Sequence, residues 1–336
     1  MNTILLIVAL FFVVCVLVFL IVEKVKSEHF KILPIPYAIP DEYIVSNIPR
    51  KKRTFSELVP GDATTYKYGL GQEDEYHQQY RESRFAHTRK KGGWDCLRHY
   101  EILANGCIPY FENLEDCPID TMVSFPKDLL KEAYDILLPW KETEEHAKIY
   151  DSYVTKLLKH CQAYCSTSAL SGYFLTNVPP SRKILMLIGD SGANYTRELL
   201  AISLRRKYES DFIEFPKLDI LYKGFDPKNS HGYGFTYSNK FSDDLSDRSR
   251  IPERISDHEF DIIIYGKVGR DEGPIKTQLP FFDQVRNVYK PEEIIFLYGG
   301  DECQNIKENI NISHLSRYGK YGTCFVRELI KPQKSS

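Results

Sequence analysis

The chain has 336 residues, 43% of them hydrophobic and 27% charged, an ordinary globular balance with length for about two domains. A formal net charge of -2 excludes the dominant basic face of a nucleic-acid binder. Eight cysteines include no C-x-x-C pair, and the closest spacing, Cys161 to Cys165, has no histidine pairing of zinc type, so buried free thiols are the simplest reading.

Ile4 to Val22 is a run of nineteen apolar residues without a charge. At the rise of an α-helix it covers about 28 Å, enough to cross a hydrocarbon core. No basic residue precedes it, it exceeds a signal-peptide core and no small-residue cleavage site follows, so residues 1–31 read as an uncleaved anchor and its flank. Lys24, Lys26 and Lys31 follow the run, and the positive-inside rule then keeps the remaining chain in the cytoplasm of a single-pass membrane protein. The luminal orientation is the alternative, and only there would the sequons at Asn194 and Asn311 matter.

Residues 32–62 are studded with proline and read as extended, looping chain. Helical patterns follow at 73–83 and 95–105, then a buried strand in "CIPYF" at 107–111, then helices over 127–138 and 141–165. The tandem prolines of "NVPPSRK" at 177–183 divide the chain into 32–178 and 179–330. The second part starts afresh with a strand in "KILMLIG" (183–189), a helix over 194–210 and a strand in "DFIEF". Two more apolar strands, "FDIIIYG" (260–266) and "EIIFLYG" (293–299), flank a helical pattern at 279–289. Uninterrupted apolar strands alternating with helices predict a parallel sheet covered on both faces. The intervening 223–256 is polar and reads as a long excursion.

The stretch "TRKKGGWDCLRHYEILANGCIPYF" (88–111) carries the chemistry. A flexible basic turn feeds a helix N-terminus, where backbone N–H groups and the helix dipole favour an anion. Gly92 and Gly93 allow close backbone approach, Lys90, Lys91 and Arg98 supply positive charge suited to phosphate, and Asp95 is a first-turn acid or N-cap. Trp94, Arg98 and Glu101 share a helix face. Glu101, one turn further along, can accept hydrogen bonds from two vicinal ribose hydroxyls.

Gly92, Trp94, Arg98 and Glu101, followed by Gly106-Cys107-Ile108-Pro109, resemble the donor-binding motif of exostosin-like GT-B glycosyltransferases. The resemblance covers about 25 residues, with "YRESRFAHT" (80–88) as the strand leading in. It implies an α/β fold of two Rossmann-like domains behind the N-terminal transmembrane helix, with 32–178 binding the donor. It further implies a nucleotide diphosphate held by 90–98, a ribose on Glu101 and no cofactor beyond a nucleotide-sugar co-substrate. Many such proteins carry a second glutamate eight positions before the ribose glutamate. Here that position is Gly93.

A second motif, "IGDSGAN" at 188–194, resembles the Gly-Asp-Ser block of SGNH-type esterases and acyltransferases, which would make Ser191 a nucleophile. No Asp-x-x-His block follows near the C-terminus, and His258 and His314 are wrongly spaced for the base. Asp190, Arg270, Asp271 and Asp301 lie after apolar strands, where open α/β sheets bind ligands, and are candidates for the catalytic or acceptor side. No DxD-type metal motif stands out, and "SDD" at 242–244 falls in the excursion.

One anomaly concerns order. "GTCFVRELI" (322–330) reads as a strand with nothing after it, and "ILPIPYAIP" near residue 35 as a continuation without a start. A circular permutation accounts for both and requires the segment from about Leu33 to begin close to where the "CFVRE" strand ends. The expected activity is a membrane-anchored, metal-independent glycosyl transfer from a nucleotide sugar to a glycan, lipid or protein acceptor. The alternatives are an SGNH-like hydrolase and an inactive glycosyltransferase-fold binding protein.

Overall fold

The apolar runs of the second half are four or five residues long and rich in Ile, Phe and Leu, which suits fully buried strands better than helices. The computed structural model describes residues 31–190, 192–242, 244, 246–269, 274–301 and 310–330. In chain order, β1 (Ile32–Pro34) is followed by β2 (Arg53–Phe55), α1 (Glu73–Arg81), β3 (Ser83–His87), α2 (Leu97–Ala104) and β4 (Ile108–Tyr110). Then come α3 (Lys127–Leu137), α4 (Glu144–His160) and α5 (Thr167–Thr176). The second half supplies β5 (Ile184–Leu187), α6 (Tyr195–Tyr208), β6 (Phe212–Phe215), β7 (Ile262–Tyr265), α7 (Phe282–Val288), β8 (Ile294–Tyr298), α8 (Ile310–Gly319) and β9 (Thr323–Val326).

Two all-parallel sheets result. The smaller has the order β2-β3-β4, and the larger β1-β9-β8-β7-β5-β6. The larger sheet is packed on both faces, as its side chains show by alternating between two apolar cores. Ile184, Met186, Ile262, Ile264 and Leu297 enter one, while Leu185, Leu187, Ile263, Tyr265 and Phe296 enter the other. That burial is the reason the central strands β5, β7 and β8 are apolar at every position rather than every second one.

The predicted strands and helices of the second half appear within a few residues of their expected limits. β9 is an interior strand, because β1 pairs with it in parallel, Leu33 opposite Phe325 and Pro34 opposite Val326. The segment near Leu33 therefore does lie beside the "CFVRE" strand. α5 also precedes residue 178, yet it packs on α6, with Phe174 against Phe325 at 5.0 Å between ring centroids.

Three elements differ from expectation. The helix predicted over 141–165 ends at His160 and widens into a π-turn, Cys161–Cys165, because Ser166 restarts the chain as the N-cap of α5, accepting from the Ala169 N–H at 3.1 Å. The excursion holds a helix of its own, Ile251–Ser256, and buried Glu214 on β6 ties it back through Arg248 and Tyr222. β2 lies in what read as loop. The anchor expected at 4–22 lies outside the described residues, among which no helix is long and apolar enough to cross a membrane.

Phe325 is fully buried and sits between β1 and β8. Phe325→Ala is expected to cost about 3–5 kcal/mol in urea unfolding, as for an interior aromatic. A loss below about 1 kcal/mol would contradict the placement of β9 inside the sheet.

Candidate functional site

Parallel strands send their following loops to one edge of a sheet. Here Leu58 after β2, Lys91 after β3, Ala193 after β5, Lys267 after β7, Gly299 after β8 and Arg327 after β9 all line one cavity of about 1090 Å³. The two sheets thus face each other across it. In the larger sheet the strand order reverses between β5 and β7, since β6 lies on one side of β5 and β7 on the other. Ligands of open parallel sheets bind at that edge and near that reversal.

The predicted segment forms one wall. Gly92 and Gly93 turn between β3 and α2 in close quarters: a Cβ on Gly92 would strike the Asp301 carboxylate, and one on Gly93 would lie 2.6 Å from the buried Glu328 Oε1. The space in which the resemblance would place a second carboxylate is thus filled by Glu328. This carboxylate also accepts the backbone N–H groups of Trp94 (3.1 Å) and Asp95 (2.7 Å). Those two donors were expected for an anionic ligand and are instead satisfied internally.

The consequence reaches α2. It begins at Leu97 rather than Asp95, with extended Cys96 as an N-cap whose side chain makes no capping bond. Asp95 is therefore no cap. Its Oδ2 accepts the Tyr37 N–H at 2.8 Å. Burial pushes its carboxyl up to about 7, nearby Glu328 adding to the shift and Arg327 opposing it.

Lys91 and Arg98 line the cavity; Lys90 and Trp94 do not. Trp94 is buried in the core, with Lys90 about 6.0 Å above its ring. The Lys91 ammonium stands 5.4 Å from the Tyr66 ring centroid. Arg98 approaches the Tyr66 hydroxyl at 3.4 Å, pairs with no carboxylate among the described residues, and leaves Nη1 buried without a partner. Burial alone would raise the Tyr66 phenol, yet Arg98, the Gly61 N–H and Lys91 together hold it below its ordinary value. That shift registers a positive field at this wall.

Glu101 also lines the cavity, and both oxygens are engaged: Oε2 accepts from Tyr76 (2.6 Å) and Oε1 from Thr236 (2.6 Å). Burial raises its carboxyl, and these two hydroxyls oppose the rise.

Several residues here were not foreseen. Arg327, only 2% exposed, donates to the carbonyls of Gly299 (3.2 Å) and Gly300 (3.1 Å) and to that of Asp95, and pairs with Asp301 and Glu328. The available signal was the Arg-Glu pair closing the apolar strand in "CFVRE". Tyr37, Tyr195, Tyr233 and Phe235 give the cavity aromatic walls from segments that read as loop or helix cap. Asn194 caps α6, accepting from the Arg197 N–H at 3.1 Å.

Of the weaker candidates, Asp301 lines the cavity. Asp190 does not; it accepts from Gly192 N–H (2.9 Å) and pairs with Lys267 (2.7 Å), which does. Gly189 faces Gln278 and Pro280. Ser191, Arg270 and Asp271 lie outside the described residues. His258 precedes β7, at the opposite end of the sheet from the loop after β5, and contacts Glu293 at 3.3 Å. Among the described residues no His, Cys, Asp and Glu group could hold a metal ion. Comparison with protein-family models, curated proteins and solved structures finds no match to this chain.

Asp95 yields a pH prediction. Its folded value of about 7 exceeds the usual aspartate value, so between pH ~4 and ~7 the unfolded chain releases a proton that the folded one keeps. Stability contributed by the neutral carboxyl is fully present below pH ~4 and is lost as pH rises to ~7. The melting temperature of Asp95→Asn minus that of the wild type should therefore grow over this range and level off above it. A difference independent of pH would contradict the assignment.

Proposed function

We propose that the cavity binds a nucleoside diphosphate and that the protein is a glycosyltransferase drawing on a nucleotide-sugar donor, with a glycan, lipid or protein as acceptor. The observation that carries this reading is Arg98. A guanidinium with no carboxylate partner among the described residues, half-buried at the mouth of a helix N-terminus and beside Lys91, suits an anion. Its planar fork suits a phosphate better than a single ammonium would.

In this reading the diphosphate lies against Arg98, Lys91 and the start of α2, and the ribose hydroxyls reach Glu101. The tyrosine walls supply flat apolar surface for base and sugar. Transfer breaks the bond between the anomeric carbon and the diphosphate oxygen while an acceptor oxygen bonds to that carbon. Negative charge then develops on the departing phosphate, and fixed cations in a shielded cleft stabilise it there. Asp301 and Lys267 line the same cavity from the loops after β8 and β7. The membrane run at 4–22 would hold the cleft near lipid-borne acceptors. The nucleophile of the competing hydrolase reading would be Ser191, which lies outside the described residues.

Calorimetry with uridine and guanosine diphosphates tests the proposal. Arg98→Ala should weaken binding at least tenfold, since a hydrogen bond to a charged group contributes about 1.5–3 kcal/mol. Glu101→Gln should also weaken it. A wild-type protein that binds no nucleoside diphosphate, or an Arg98→Ala variant that binds as well, would remove the proposal.

A further inference from the structure

Residues 231–237 leave the second half and cross to the first as a strap. His231, Gly232, Tyr233 and Phe235 line the cavity, and the Phe235 ring meets that of Tyr76 at 5.8 Å. Thr236, at the strap's turn, is fully buried. Its backbone N–H donates to Glu73 Oε1 (2.6 Å) and its hydroxyl to Glu101 Oε1 (2.6 Å), with His77 Nε2 at 3.4 Å from the same hydroxyl. The strap is pinned further by the Tyr237 hydroxyl, which donates to the His231 carbonyl at 3.0 Å, and by Lys240 bonded to Tyr43.

The backbone at this turn is strained. Thr236 has φ +74°, a left-handed conformation that a β-branched residue rarely adopts, and Tyr233 and Asn239 are also at positive φ. Such strain persists where surrounding contacts over-determine it, and it concentrates at ligand clamps. The contacts that hold Thr236 there are the two carboxylates of α1 and α2.

We infer that Thr236 is a positioning residue for recognition of a vicinal diol, acting across the two halves by fixing the rotamer of Glu101. This rests on the reading of Glu101 as the ribose acceptor. An ionised carboxylate has about four lone-pair sites, two on each oxygen. Thr236 takes one on Oε1 and Tyr76 one on Oε2, so one on each oxygen stays open for a pair of neighbouring hydroxyls while the group is held still. A carboxylate anchored through only one oxygen would swing and meet a single hydroxyl as readily as two.

The test compares uridine diphosphate with its 2′-deoxy analogue by calorimetry. The wild type should prefer the ribonucleotide. Thr236→Val, which keeps shape and branching but loses the hydroxyl, should bind the ribonucleotide about tenfold more weakly and the deoxynucleotide nearly as before, so that discrimination collapses. Thr236→Ser should restore it. Should Thr236→Val fail to fold, Tyr76→Phe removes the partner hydroxyl from the first half and should narrow the same ratio. An unchanged ratio in the folded variant, or a wild type indifferent to the 2′-hydroxyl, would overturn the inference while leaving diphosphate binding standing. Tighter binding by Thr236→Val would also overturn it, because the strap would then be occupying the ligand's place. Absence of any nucleotide binding by the wild type would remove the proposed function itself.

Discussion

The Glu328 carboxylate, accepting the backbone N–H groups of Trp94 and Asp95, is the contact on which the site depends. It joins the end of the last strand of the larger sheet to the turn leading into α2. A fully buried carboxylate is costly unless its oxygens are satisfied, and here the two N–H donors and Arg327 satisfy them. Three features follow from this one contact. Position 93 must be glycine, residues 94–96 stay outside the helix, and α2 starts late enough to aim Arg98 at the cleft. Arg327 continues the joint by gathering the carbonyls of Gly299 and Gly300, which brings the loop after β8 against Gly92.

The joint also organises charge. Carboxyl groups gather beneath the cleft, where Asp95, Asp301 and Glu328 surround the guanidinium of Arg327. The opposite situation holds at the wall, where Arg98 and Lys91 face tyrosines rather than carboxylates. A ligand carrying localised negative charge and flat apolar parts matches that wall. The backbone donors foreseen for an anion at the Gly-Gly turn are already used by Glu328.

Legibility in the sequence followed the range of the interactions. "KILMLIG", "FDIIIYG" and "EIIFLYG" could be read as buried parallel strands because their signal is local and strong. Two loose ends, the strand without a successor at 322–330 and the start without a precedent near Leu33, meet in the β1–β9 pairing. Local reading failed where a distant residue decides the outcome. Asp95 looked like a helix cap until Glu328, 233 positions away, claimed its N–H group. Thr236 lay in a polar excursion with nothing to mark it, since its meaning comes from Glu101, 135 positions earlier. Ser166 was different: a local N-cap signal was present in "CSTS" and lay hidden inside a longer helical pattern.

Hydrogen exchange of the protein with and without a nucleoside diphosphate tests most directly the claim that both halves build one nucleotide site. The account predicts protection in 91–101 together with 193–195 and 267–269, from opposite sides of the cleft. Protection confined to one half, or none at any of these segments at saturating nucleotide, would contradict it.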